Sequence, residues 1–228
     1  MRCVTTMDKK QLNKLISAFS MADGGLYKRS ENGQAYFMMN MLTCHDDYVE
    51  WVKSTFEELV HVNKTKVKNP CKRPQTNLNS RTHPALTNIH GRIYRDGYKG
   101  LDEHWINCID FEILAIFYMA DGSLHVEQPN AKKGLINPSP NVTLNMKRLS
   151  YGDTWFLKKK LKDNLDIEFN ISTQNYKGKT YYFLRLRNKD VEKFMQGITP
   201  YVKDSFAYKL YDSERKAPKA KPPGDDIV

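Results

Sequence analysis

The strongest constraint on this chain is that it repeats itself. The segment Leu15-Ile16-Ser17-Ala18-Phe19-Ser20-Met21-Ala22-Asp23-Gly24-Gly25-Leu26 is echoed by Leu114-Ala115-Ile116-Phe117-Tyr118-Met119-Ala120-Asp121-Gly122-Ser123-Leu124. The stretches downstream of the two copies are also parallel. Phe37-Met38-Met39-Asn40-Met41 precedes a helical stretch from Asp46 to Val60, and Val142-Thr143-Leu144-Asn145-Met146 precedes another from Tyr151 to Leu165. A duplicated order of this kind predicts two copies of one unit of about 100 residues.

Within each unit the punctuation reads as helix, hairpin, helix, strands, helix. Thr6 or Asp8 suits the cap of the first helix and Asp110 that of its counterpart; Gly24 and Gly122 are glycines of the kind that end helices in a left-handed turn. Asn32-Gly33 is a hairpin turn, and the second hairpin has a longer one from Gln128 to Pro140. Strands are predicted over His61 to Lys68 and Thr180 to Arg187, and a helix from Asn188-Lys189-Asp190 to about Thr199. The expected organisation is residues 1–100, residues 101–212, and a disordered tail from Ser213 to Val228, rich in Lys, Pro and Asp.

Charge narrows the partner. Thirty-six Lys and Arg against 26 Asp and Glu leave a net charge of +10, which suits a polyanion such as nucleic acid. No run approaches the roughly 18 apolar residues of a membrane span, and the first residues lack the apolar core of a signal peptide. Cys3, Cys44, Cys71 and Cys108 lie far apart and read as reduced thiols of an intracellular, soluble protein. The six histidines form no metal or nuclease pattern, there is no phosphate-binding or nucleophile-elbow glycine motif, and Trp51, Trp105 and Trp155 read as packing residues.

Asp23 and Asp121 each fall at the C-terminal end of an apolar helix. The helix dipole is negative there and disfavours a carboxylate by about 0.3–1 kcal/mol. The same misfit in both repeats points to a compensating cation. Small residues (Ser17, Ala18 and Ala22; Ala115 and Ala120) would let the two helices approach about a pseudo-twofold axis and bring both carboxylates together. Paired carboxylates in a basic protein suit magnesium, which takes one or two of them and completes its shell with water and phosphate oxygens.

The two motifs resemble the paired motifs of the LAGLIDADG homing endonucleases, in their single-chain, two-motif branch. The likeness runs from about residue 8 to residue 210. It takes in Ile93-Tyr94-Arg95-Asp96-Gly97-Tyr98-Lys99, Ile198-Thr199-Pro200-Tyr201-Val202-Lys203 and Phe206-Ala207-Tyr208-Lys209-Leu210. Met21 and Met119 replace the acidic residue two positions before each aspartate, and Ser17-Ala18 replaces an Ala-Gly pair. The resemblance implies an α+β fold: a tandem of αββαββα units with two curved antiparallel sheets forming a DNA-binding saddle around two central helices. It implies a monomeric, site-specific endonuclease that uses Mg2+ (Mn2+ as a substitute), cuts a long, partly asymmetric duplex target to leave 3′ overhangs, and serves intron or gene mobility. The setting would be a prokaryotic or phage-infected cytoplasm or an organelle matrix. Metal ligation falls to Asp23 and Asp121 with the carbonyls of Gly24 and Gly122, and catalytic support to Lys99 and Lys209. The alternative is an intron RNA-splicing maturase, binding RNA, or a DNA-binding relative that does not cleave.

DNA would then lie against the sheets. Alternation places Lys64, Lys66 and Lys68 on one strand face, and Arg185 and Arg187 on another opposite Tyr182, Leu184 and Leu186. Lys28, Arg29, Gln34, Arg81, Lys132 and Lys133 are the further candidates for DNA contact.

Overall fold

A computed structural model describes residues 7–67, 73–95, 97–127, 139–146, 148–187, 189–212 and 217–218. The chain divides into two compact units, Met1–Trp105 and Ile106–Val228. The first contains α1 (Lys9–Met21), β1 (Gly25–Lys28), β2 (Ala35–Leu42), α2 (Asp46–Glu57), β3 (Val62–Val67), β4 (Gln75–Ser80) and α3 (Pro84–Ile93). A short ribbon, β5 (Tyr94–Arg95) with β6 (Tyr98–Lys99), comes next, and α4 (Glu103–Ile106) crosses the boundary. The second repeats the order: α5 (Phe111–Asp121), β7 (Gly122–Glu127), β8 (Ser139–Leu144), α6 (Tyr151–Leu165), β9 (Asn170–Tyr176), β10 (Lys179–Arg187) and α7 (Lys189–Ile198). The fold is α+β, and each sheet is antiparallel with the same strand order, β1-β2-β4-β3 and β7-β8-β10-β9.

Local chemistry sets the helix starts. Asp110 accepts from the Ile113 amide at 3.1 Å and Ser150 from the Asp153 amide at 3.0 Å, each satisfying an amide that the first turn leaves over. His83 does the same for Ala85 at 3.2 Å, beside Pro84 at the first helical position. Asp8 sits at the start of α1 without a side-chain cap bond. Between Ile113 and Met119, α5 is buried on every side, as a helix that is apolar all round must be.

In each unit the helices cover one face of the sheet and leave the other open. Leu26, Ala35, Phe37, Met39, Val62 and Leu78 point into the first core, where Phe37 stacks on Phe56 at 3.9 Å and Phe19 meets the edge of Trp51 at 4.9 Å. Val142, Leu144, Leu184 and Leu186 point into the second, under Leu157, Leu161 and Phe194. Trp105 is buried, whereas Trp155, expected to pack, stands 50% exposed on α6 with the Lys159 ammonium 5.7 Å from its ring centre.

Two further expectations are revised. Gly24 and Gly122 are not left-handed; among described glycines only Gly97 and Gly178 have positive φ. Their requirement is space: a methyl group at Gly24 would strike the Phe37 ring, and one at Gly122 the ring and carbonyl of Tyr118. Part of the expected tail is ordered, because β11 (Tyr211–Asp212) pairs with β12 (Ala217–Pro218); the rest lies outside the described residues. No described helix is long and apolar enough to cross a membrane.

Gly122→Ala, whose methyl meets rigid backbone, lowers unfolding stability by about 1–3 kcal/mol in a urea titration. Gly91→Ala, in α3 with open space around it, raises it by about 0.5–1 kcal/mol.

Candidate functional site

Asp23 lies in the turn after α1, and Asp121 is the last residue of α5; both are half-buried. At each helix end the backbone carbonyls converge on one ammonium group. Lys99, on β6, donates to the carbonyls of Ala22 at 3.1 Å and Gly24 at 2.6 Å. Lys209 donates to those of Met119 at 2.6 Å, Gly122 at 3.0 Å and Tyr118 at 3.4 Å. A cation on the last carbonyls of a helix is worth up to about 2 kcal/mol in a partly buried setting. The charge that offsets each misplaced aspartate is therefore built into the chain. The Gly24 and Gly122 carbonyls, expected as metal ligands, each accept from one of these ammonium groups.

The substituted motif positions have work of their own. The Met21 sulfur accepts from the Asp102 amide at 3.1 Å, and the Met119 sulfur from the Lys203 amide at 3.3 Å. An acidic side chain is not needed to tie each closing segment to its helix. Ser17 donates to the buried carboxylate of Asp102 at 2.9 Å, and the Arg92 Nε reaches both of that carboxylate's oxygens at 2.9 and 3.0 Å. In the second unit the Tyr118 hydroxyl donates to the Lys209 carbonyl at 2.5 Å, and burial, with a smaller effect of the nearby Tyr208, pushes its pKa well above the ordinary tyrosine value.

Beside Asp121 opens a cleft of about 410 Å³ lined by Ala120, Asp121, Gly122, Ser123, Asn145 and Arg148. The Arg148 guanidinium lies 3.6 Å from the Asp121 carboxylate. Sequence reasoning missed Arg148. Its counterpart by repeat alignment is Thr43, so no duplication marks it.

The DNA-contact candidates divide by sheet face. Arg185 and Arg187 lie on the open face of β10, opposite the buried Leu184 and Leu186, and Arg185 approaches Glu127 at 3.8 Å. Lys64 shares its side of β3 with the buried Val62 and is held by Asp46 and Glu50 of α2 at 2.6 and 2.5 Å. Its two acidic partners raise its pKa against the opposing effect of burial. Lys64 thus faces the helices, and the exposed Lys66 lies on the same side of the strand. Lys28 is also on the α3 side: burial, and then the Lys28 ammonium, lower the pKa of His90 in that helix. Arg29 reaches the Tyr36 ring at 5.9 Å, and Gln34 and Arg81 are exposed. Lys68, Lys132 and Lys133 lie outside the described residues.

The open faces carry other polar side chains. In the first unit the cross-strand rows are Met38–Asn79–Asn63, Asn40–Asn77–Thr65 and Leu42–Gln75–Val67. In the second unit Ser123, His125, Thr143, Asn170, Ser172 and Gln174 surround Arg185. The alternation of Gln75, Asn77 and Asn79 with Thr76, Leu78 and Ser80 was the available signal.

A profile of the LAGLIDADG DNA endonuclease family matches residues 19–194. The chain belongs to that family. The resemblance read from its two motifs is confirmed. Among solved structures it is similar to the homing endonuclease I-WcaI bound to its DNA recognition sequence, at 20% identity and TM-score 0.67 over 90% of this chain and 88% of that one. It is also similar to mesophilic variants of the homing endonuclease I-DmoI, at 14% identity and TM-score 0.51 over 83% and 95%. Among curated proteins, RecA of Mycolicibacterium flavescens is 25% identical over 193 residues, covering 83% of this chain and 44% of that protein. For RecA of Mycobacterium leprae (strain TN) the identity is 24%, over 83% of this chain and 26% of that protein. The chain spans less than half the length of these curated relatives.

Lys209→Met, which removes the ammonium and keeps the stem, costs about 1–2 kcal/mol of stability in a denaturant titration. Unchanged stability would show that the carbonyls at the end of α5 do not depend on it.

Proposed function

We propose that the protein is a site-specific endonuclease that, as an intracellular monomer, cuts both strands of a long, partly asymmetric DNA target by magnesium-assisted hydrolysis. The observation that carries the reading is a half-exposed carboxylate at the same helix end in both units, each bracketed by a lysine on the adjoining carbonyls. Each unit serves one strand, the cuts leave 3′ overhangs, and the activity serves intron or gene mobility.

The donor set suits a hard divalent ion. Among the described residues no group of three or more His, Cys, Asp or Glu could hold a metal, so those residues offer no closed zinc site. One carboxylate per helix end matches the sparse protein ligation of Mg2+, whose shell is completed by water and phosphate oxygens, and Mn2+ substitutes. A structure of a single-substitution variant of I-DmoI, at TM-score 0.51, is of a complex with its target DNA in the presence of Mn. When bound, the metal polarises a phosphoryl oxygen and lowers the pKa of an attacking water.

The chain's own groups do the rest. Asp23 and Asp121 would hold the metal. Lys99 and Lys209 fix the backbone around each carboxylate and place positive charge where an anionic phosphate arrives, which favours the more highly charged transition state. Arg148 sits where a guanidinium can grip the phosphate in the cleft beside Asp121. Arg185 and Arg187 hold the duplex from the open face of β10. No side chain becomes covalently attached, since water is the nucleophile.

Asp23→Asn and Asp121→Asn each abolish double-strand cutting in magnesium while duplex binding, read by mobility shift, persists. Undiminished cutting by both variants rejects the site. Arg148→Ala slows hydrolysis of one strand about a hundredfold, so nicked duplex accumulates in a time course; equal slowing of both strands contradicts its assignment to one unit. Binding of folded intron RNA without cleavage of any DNA favours the maturase alternative.

A further inference from the structure

Asp102 is completely buried, and among the described residues no other Asp or Glu is buried. Groups from α1 and α3 of the first unit converge on it. Ser17 donates to its Oδ2 at 2.9 Å, and the Arg92 Nε donates to Oδ1 and Oδ2 at 3.0 and 2.9 Å. The Asp102 amide itself donates to the Met21 sulfur at 3.1 Å.

These contacts close the base of the β5–β6 ribbon. Arg92 lies just before β5 and Asp102 just after β6; between them the Gly100 amide donates to the Ile93 carbonyl at 2.8 Å. Lys99, the last residue of β6, is the one whose ammonium reaches the Ala22 and Gly24 carbonyls, at 3.1 and 2.6 Å. The segment that carries Lys99 is therefore pinned to α3 by Arg92 and to α1 by Ser17 and Met21.

Packing alone does not call for a carboxylate here. Taking one out of water is costly, and an apolar residue of like volume often stabilises as well or better. The best-attested use of such a group is to fix one register. A carboxylate bonded at both oxygens cannot slide along a helix without breaking a charge-assisted hydrogen bond. The second unit holds its lysine without any such group. Ala115 stands where Ser17 does in the repeat. The anchors there are the Tyr118 hydroxyl on the Lys209 carbonyl and the Met119 sulfur on the Lys203 amide, both neutral.

We propose that Asp102 is a positioning residue of the first unit alone. Held by Ser17 and Arg92, it sets the register of the β5–β6 ribbon and keeps the Lys99 ammonium on the carbonyls that flank Asp23. One consequence rests on the DNA-cleaving reading above: loss of the Asp102 charge impairs hydrolysis of one strand and spares the other, so that a double-strand cutter becomes a nicking one.

Two readouts test this, at a temperature where circular dichroism shows the variants folded. The first needs neither DNA nor metal. The free protein is pulsed with acetic anhydride, and acetylation of each lysine is followed by mass spectrometry in wild type, Asp102→Asn and Ser17→Ala. Lys99 reacts about tenfold faster in both variants, while Lys209 is unchanged. Ser17→Ala, the milder change, decides the matter if Asp102→Asn does not fold: equal acceleration at both lysines, or none at Lys99, overturns the proposal. The second readout is strand-resolved cleavage in magnesium of a duplex that wild type recovers from a randomised library. Asp102→Asn cuts one strand about a hundredfold more slowly, and nicked duplex accumulates. Equal slowing of both strands overturns the proposal and leaves the endonuclease reading in place. If wild type cuts no duplex in the library, the endonuclease reading fails, and the acetylation rates still decide whether Asp102 places Lys99.

Discussion

Everything about this molecule turns on how the end of a buried helix is neutralised. An apolar helix such as α5 concentrates unpaired carbonyls at its C-terminus, and an aspartate there adds a full negative charge. Lys209 answers by placing its ammonium on three carbonyls, as Lys99 does on two at the end of the first helix. With the backbone charge met inside the chain, the Asp121 carboxylate in turn lies 3.6 Å from the Arg148 guanidinium. The stabilising cation and the carboxylate are separate parts, and each can be removed without the other.

A second division runs through the sheets. Residues at one parity of each strand make the core with the helices, and residues at the other parity face solvent. That parity decides the role of a basic side chain more firmly than its charge does. Arg185 is available because Leu184 and Leu186 are buried, and Lys64 is engaged by Asp46 and Glu50 because it shares a side with Val62. The net positive charge of the chain does not imply that any given strand face is positive.

This parity also explains how much could be read from the sequence. The duplication, the Asp110 cap, the span of α6 and the facing of Arg185 all come from short-range pattern, and pattern was sufficient. Lys64 was misplaced because its acidic partners come from another element, and alternation alone gives two faces without saying which is covered. The glycines of the two motifs looked like conformational switches, but only packed neighbours reveal that Phe37 and Tyr118 leave no room for a methyl group. Lys99 and Lys209 were singled out by resemblance, yet their attachment to the helix carbonyls depends on contacts 75 and 77 residues away for Lys99 and 87 to 91 for Lys209. Arg148 has no twin in the first repeat and gave periodicity nothing to find.

The same parity bears on how such a chain can evolve. Asn40, Asn63 and Asn79 are exposed and outside the core, and surface substitutions away from buried features usually shift stability by no more than about 0.5 kcal/mol. Their replacement leaves Phe37, Met39 and Leu78 packed beneath the helices. A lineage can therefore exchange many side chains on one side of its strands without approaching the threshold at which the protein ceases to fold.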